Sequence, residues 1–206
     1  SCVLWLMSST SEHRISAQWR VLLGATVILV VLATGCTPDP VPKPRGYFRI
    51  DLPEKQYERW NSSNGLSAEI PTYVKMAERD AKSDARWYDM RFPQQRATVH
   101  LTWSPVGGQL NNLIADAHEC KKSHGAKALK IGNERVVRDS VRVFGTLFDV
   151  EGDVASPFVF YLTDSTDNFL YGALYFDVRP NADSLAPVTD RIRDDLRHLA
   201  ATLRWK

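Results

Sequence analysis

Phe169-Leu170-Tyr171-Gly172-Ala173-Leu174-Tyr175-Phe176-Asp177-Val178 is the stretch that decides the fold. Successive side chains of an extended chain point to opposite faces. Here both faces are apolar: Leu170, Leu174, Phe176 and Val178 lie on one side, and Phe169, Tyr171, Ala173 and Tyr175 on the other. A strand without a polar face must be covered on both sides, so this one belongs in the middle of a layered domain. Phe158 to Thr163, just before it, is apolar in the same way, and the loop Asp164 to Asn168 is short enough for a hairpin. Two more strands precede these, about Leu129 to Arg138 and Val141 to Val150, with a tight turn at Glu151-Gly152-Asp153. Short connections make the four an antiparallel meander.

Upstream, Arg86 to Phe92 and Ala97 to Trp103 alternate cleanly and are joined as a hairpin through Phe92-Pro93-Gln94-Gln95-Arg96. Ser67 to Ile70, before Pro71, reads as a weak strand, and Tyr47 to Leu52 as a strand ended by Pro53, with a loop at Asn61 to Gly65 between them. Gly107-Gly108 breaks the chain before a helix whose apolar face is Leu110, Leu113, Ile114, Ala117 and Cys120, ended by His124-Gly125. A second helix starts at Asp183 or Ser184 with Pro187 in its tolerant first turn. Its apolar stripe is Leu185, Val188, Ile192, Leu196, Leu199 and Leu203, and the spacing turns Asp190, Arg193, Asp194 and Arg197 to water. The fold class predicted is α+β: an antiparallel sheet of about seven strands packed by two main helices. A C-terminal helix after such a meander resembles the Mog1/PsbP-like sandwich.

The chain has 206 residues, 26 basic and 24 acidic, with a net charge of +2. That balance gives no basic face for nucleic acid. After Met7 come Arg14 and Arg20, then an uncharged run from Val21 to Thr34. It is shorter than the roughly 20 residues a spanning helix needs and has the layout of a secretory signal. It ends in Leu32-Ala33-Thr34-Gly35-Cys36, which resembles the lipobox at which a bacterial lipoprotein is diacylated on the cysteine and cut before it, although Ala33 stands where Leu is usual. The organisation predicted is a signal peptide over 1–35, a lipidated Cys36 with a proline-rich spacer over 36–46, and one globular domain over 47–206. Pro38, Pro40, Pro42 and Pro44 favour an extended spacer rising ~3.1 Å per residue. With Cys36 acylated, Cys120 has no partner for an intrachain disulfide in the mature chain.

Catalytic and metal chemistry find little support. His118, Cys120 and His124 do not converge on one helical face, and zinc needs about four ligands. Cys120 is instead expected as a buried, inert thiol flanked by solvated histidines. Asp149, Glu151 and Asp153 surround a hairpin turn and supply too few oxygens for calcium. Ser156 and Ser165 have acidic neighbours, and His100 sits on a strand, yet no nucleophile elbow is present. No cofactor motif occurs either. Trp60, in a polar stretch, and Trp205, next to the last residue, are candidate interaction residues, because Trp is enriched at interface hot spots. The other reading of both is the rim of the core.

Several blocks, in order, resemble the gliding motility lipoprotein GldD family: Pro42-Lys43-Pro44-Arg45-Gly46-Tyr47, Ile50-Asp51-Leu52-Pro53, Trp87 to Pro93, Ala155-Ser156-Pro157, Leu162-Thr163-Asp164-Ser165, Gly172-Ala173-Leu174-Tyr175-Phe176, Arg179-Pro180-Asn181, Asp183 to Pro187 and Arg204-Trp205-Lys206. The resemblance covers essentially all of Cys36 to Lys206. It implies a lipid-anchored protein of the cell envelope, facing the periplasm, held to a membrane by its N-terminal lipid. Its implied role is that of a non-enzymatic subunit or assembly factor of the gliding motility and type IX secretion machinery, with other envelope proteins of that machinery as partners and no catalytic residues. A small-ligand-binding periplasmic module is the alternative, and a hydrolase comes after it. The resemblance also implies, for many members, a disulfide between cysteines near Asn64 or Gly65 and near Ala85 or Arg86. Neither cysteine is here, so Leu66 to Asp84 is expected to be the loosest part of the domain.

Mass spectrometry of the protein purified from membranes should show Cys36 as the acylated N-terminal residue. An uncut chain, or an unmodified Cys36, refutes the assignment.

Overall fold

The computed structural model describes residue 19 and residues 54–79, 84–124 and 127–205. The chain divides into two compact units, Ser1–Gly46 and Tyr47–Lys206, and every strand and helix named here belongs to the second. The signal segment, Cys36, the spacer and the strand expected at Tyr47 to Leu52 lie outside the described residues. The described order is β1 (Tyr57–Asn61), β2 (Ser67–Pro71), β3 (Lys75–Arg79), β4 (Arg86–Phe92), β5 (Ala97–Pro105), α1 (Leu110–His124), β6 (Lys130–Arg138), β7 (Val143–Glu151), β8 (Phe158–Thr163), β9 (Asn168–Phe176) and α2 (Ala182–Thr202). No helix of the described residues is long and apolar enough to cross a membrane.

Strands β3 to β9 form one antiparallel sheet in the order β3-β4-β5-β9-β8-β7-β6, which bears out the α+β expectation. Strand β9 is the middle of seven, as its two apolar faces require. One face, with Leu101, Leu147, Phe158, Phe160, Leu162, Leu170 and Leu174, packs against Val188, Ile192, Leu196, Leu199 and Leu203 of the α2 segment. Packing on this face is close enough to demand a residue without a side chain. A Cβ on Gly172 would meet the Phe160 ring at 2.3 Å. The other face, with Phe148, Val159, Phe169 and Ala173, lies under or beside α1.

The hairpin β1–β2 stands apart from the large sheet and shares the α2 face with the helix. Leu66, Ala68, Ile70 and Val74 are all buried there. Of Leu66 to Asp84, expected to be the loosest part of the domain, residues 67–71 pair with β1 and residues 75–79 with β4, while residues 80–83 lie outside the described residues. The loop before Leu66 is tied to β4 by a hydrogen bond from Tyr88 Oη to Asn64 Oδ1 of 2.8 Å, close to where the family disulfide is implied. Strand β3 was not legible, because an edge strand with Lys75, Glu78 and Arg79 needs no apolar face. The strand expected from Val141 begins at Val143, since Asp139–Val141 form a 3-10 turn and Arg142 takes a left-handed conformation (φ 51°).

The spacing of α2 turns Arg193 and Arg197 to water, and the fold does not: Arg193 does not face water, and Arg197 does so only in part. The Arg193 side chain is 15% exposed, with Nε 2.8 Å from Asp149 Oδ1 and Nη1 3.0 Å from Asp190. Arg197 reaches Asp149 Oδ2 at 2.7 Å and Glu134 at 2.8 Å. Asp149 and Glu134 project from β7 and β6 on the face that α2 covers, so the sheet reaches past the helix and roofs its flank. Asp190 and Asp194 remain in water.

Ile192 is fully buried, and replacing it with Asp buries an unpaired carboxylate. Ile192→Asp should cost roughly 4 kcal/mol or more and lower the melting temperature by about 10 °C. Arg193→Asp should cost roughly 1–3 kcal/mol by setting a carboxylate against Asp149. Lys122→Ala, on the exposed flank of α1, should stay within about 0.5 kcal/mol of the unmodified protein. Thermal melts of the three order these effects, and a silent Ile192→Asp refutes the packing assignment.

Candidate functional site

The loop Asp164-Ser165-Thr166-Asp167-Asn168, between β8 and β9, is built around one carboxylate. Asp164 Oδ1 accepts from the backbone N–H of Thr166 (2.9 Å), Asp167 (2.8 Å) and Asn168 (2.9 Å), and Oδ2 accepts from Asn168 Nδ2 (2.7 Å). Burial alone would raise the Asp164 pKa. The bonds from Asn168, Thr166 and Asp167 outweigh burial and hold it at about 2. The amide so fixed reaches outward: Asn168 Oδ1 accepts from Trp103 Nε1 at 2.9 Å.

Arg142 approaches the same loop from the turn before β7. Its Nη2 donates to Asp164 O (3.2 Å) and Thr166 Oγ1 (3.1 Å). Its own carbonyl accepts from Trp205 Nε1 at 2.9 Å. One indole is therefore hooked by its N–H to the Asp164 loop, and the other to the turn whose arginine braces that loop. Between them opens a cleft of about 730 Å³, lined by Trp103, Trp205, Arg142 and Asp167, with Pro105 and Gly107 on its rim. Arg142, Asp167 and Gly107 are exposed, and both tryptophans are partly buried. Gly107 and Gly108 take φ of +51° and +76°, a bend that other residues rarely adopt.

Of the two tryptophans singled out in the sequence, Trp205 enters this cleft and Trp60 does not. Trp60 packs edge-on to Tyr88, centroids 5.2 Å apart, at the rim of the core. The serines and the histidine are kept apart in separate contacts: buried Ser156 donates to Phe158 O (3.2 Å), Ser165 sits in the Asp164 loop, and His100 Nδ1 is 2.8 Å from Asp89 Oδ1. The acids of the turn disperse as well. Asp149 binds the α2 arginines, Glu151 faces Lys130 at 3.4 Å, and Asp153 accepts from the Ala182 N–H at 2.8 Å.

Cys120 is exposed, against the expectation of a buried thiol. Helix α1 rests on the sheet through Ala117, while Leu110, Leu113 and Ile114 are only partly buried, and the last turn carries Cys120 past the packed face. It lines a pocket of about 190 Å³ with Leu113, Thr102 and Tyr171. Burial, and then the neighbouring Cys120, push the Tyr171 hydroxyl well above its ordinary pKa. His118 is exposed but lays its ring against Phe148, centroids 5.3 Å apart. The His124 side chain lies outside the described residues.

Two further features escaped the sequence reading. Asp195, fully buried on the inner face of α2, accepts hydrogen bonds from Tyr57 (2.9 Å) and Tyr73, with Arg191 Nε at 3.8 Å. Burial, and then the bond to Asp195, push the Tyr73 hydroxyl up to about 12. The one available signal was an acidic residue inside the apolar stripe, between Ile192 and Leu196. The other feature is an apolar pocket of about 220 Å³ at the start of α2, lined by Val154, Pro157, Phe176, Val178 and Leu185.

The Asp164 pKa is lower folded than its ordinary 3.8, so its contribution is complete above pH 4 and is lost as pH falls through about 2. Asp164→Ala should therefore cost roughly 2 kcal/mol at neutral pH, with the gap to the unmodified protein closing towards pH 2 in urea titrations. Native protein treated with a thiol reagent should be labelled at Cys120 about as fast as unfolded protein, read by peptide mass mapping.

Among curated proteins none matches the chain. The model of one family, described as gliding motility lipoprotein GldD, matches residues 37–205 and so spans the cleft, the sheet and both helices. The chain belongs to the gliding motility lipoprotein GldD family.

Proposed function

We propose that this protein is a lipid-anchored, non-enzymatic subunit or assembly factor of the gliding motility and type IX secretion machinery, held by acylated Cys36 and facing the periplasm. The observation that carries the reading is the family match across residues 37–205. The lipobox-like Leu32-Ala33-Thr34-Gly35-Cys36 and the proline-rich spacer after it support the anchor. The separate engagement of His100 and Ser156 supports a role in binding rather than turnover.

The test is a pull-down of the tagged lipoprotein from chemically crosslinked envelopes. Type IX secretion components should co-purify with it, and Cys36→Ser should abolish both membrane attachment and that recovery. Failure to recover any component of the machinery from intact envelopes overturns the reading.

A further inference from the structure

We propose that the cleft between Trp103 and Trp205 is a binding site for an uncharged glycan segment. The proposal is independent of the assembly role and concerns a ligand rather than a protein partner.

The walls favour a saccharide. A pyranose ring has an apolar C–H face and a rim of hydroxyls. Recognition of such a ring needs a rigid aromatic platform beside fixed polar groups. Trp103 and Trp205 both line the cleft, and both indole N–H groups are already spent on the frame, at 2.9 Å to Asn168 Oδ1 and 2.9 Å to Arg142 O. The rings are thus held in place before any ligand arrives, which lowers the entropy cost of binding. Beside them stand the Arg142 guanidinium and the exposed Asp167 carboxylate, while the second carboxylate of the wall, Asp164, is spent on its own loop. Arg142 keeps a single nitrogen, Nη2, on the loop, and Asp167 accepts one bond, from Thr166 Oγ1 at 3.1 Å. Each retains hydrogen-bonding capacity for vicinal hydroxyls. The rim at Gly107 is open: a Cβ there would touch nothing within 4 Å.

Other ligand classes fit less well. The two exposed charged groups in the wall are opposite in sign, so the cleft offers no net attraction for a phosphate or another polyanion. A peptide adding as a strand needs a free sheet edge. The strand residues of the wall lie on β5 and β9, paired to each other at Trp103↔Leu170 and Pro105↔Asn168, while the edges of the large sheet are β3 and β6. The volume, about 730 Å³, is more than three times that of either apolar pocket and has room for more than one sugar ring.

The experiment titrates the full chain, in a detergent without a sugar headgroup, with an N-acetylglucosamine tetramer and with a glucose tetramer. Binding is read by tryptophan fluorescence and calorimetry. At least one sugar should give a saturable response at up to about 10 mM, the weak end of specific binding. A preference for the first points to wall-type amino-sugar chains, and a preference for the second to neutral hexose polymers. Asp167→Ala and Trp205→Ala should each weaken binding about tenfold or more, and Trp60→Ala should not. Should Trp205→Ala fail to fold, Asp167→Ala and Arg142→Ala, checked by thermal melts, carry the test. No saturable response to either sugar overturns the proposal, as does a response that these variants leave unchanged. So does a photo-crosslinker at position 167 that captures only protein while both titrations are flat. The readouts use purified protein, so they stand or fall apart from the envelope pull-down.

Discussion

Strand β9 is buried on both faces, and the rest of the architecture follows from that constraint. A strand with Leu170 and Leu174 on one side and Phe169 and Ala173 on the other needs strands at both edges and cover above and below. Strands β5 and β8 supply the edges, α2 with the hairpin β1–β2 covers one face, and α1 covers part of the other. The two covers differ in depth. The α2 stripe includes five residues no more than 4% exposed, whereas among the described side chains of α1 only Ala117 is buried, and Cys120 stands in solvent.

Apolar packing does not by itself fix the position of α2 along the sheet. Charged pairs on the flanks of the stripe do so. Asp149 takes Arg193 on one oxygen and Arg197 on the other, while buried Asp195 takes Tyr57 and Tyr73 from the opposite side. A buried carboxylate is costly without partners, so a helix shifted by one turn would strand Asp195. The same contacts dock the hairpin. Tyr57 lies at the start of β1, and His198 of α2 meets Glu69 of β2 at 2.8 Å. Register and hairpin position thus depend on one polar seam.

The cleft exists because four segments meet at one end of the sheet: the end of β5, the turn before β7, the Asp164 loop, and the chain after α2. Arg204 pairs with Ser67 across an isolated bridge, which directs Trp205 back towards Arg142. Two of the blocks that carry the family resemblance, 162–165 and 204–206, contribute Asp164 and Trp205 to that wall. Others, including 155–157, 172–176 and 179–181, contribute Pro157, Phe176 and Pro180 to the apolar pocket at the start of α2.

Periodicity determined the central meander, the β4–β5 hairpin and the stripe of α2, because each is a local pattern enforced by burial: two-residue alternation in strands, and steps of three and four in the helix. It determined the α+β class for the same reason. Strand β3 was hidden because an edge strand carries no apolar demand. The water-facing reading of Arg193 and the core reading of Cys120 failed for a common cause. A helical wheel tells which residues share a face, but not how far the opposing sheet extends under it. Trp205 was legible as a candidate and Trp103 was absorbed into its strand's apolar face, since only the folded chain places the two along one cleft. The Asp195 seam and the cleft join residues more than a hundred positions apart in the chain. Hydrogen-bond geometry between separate elements leaves no trace in local spacing, and so it was decided by the tertiary structure alone.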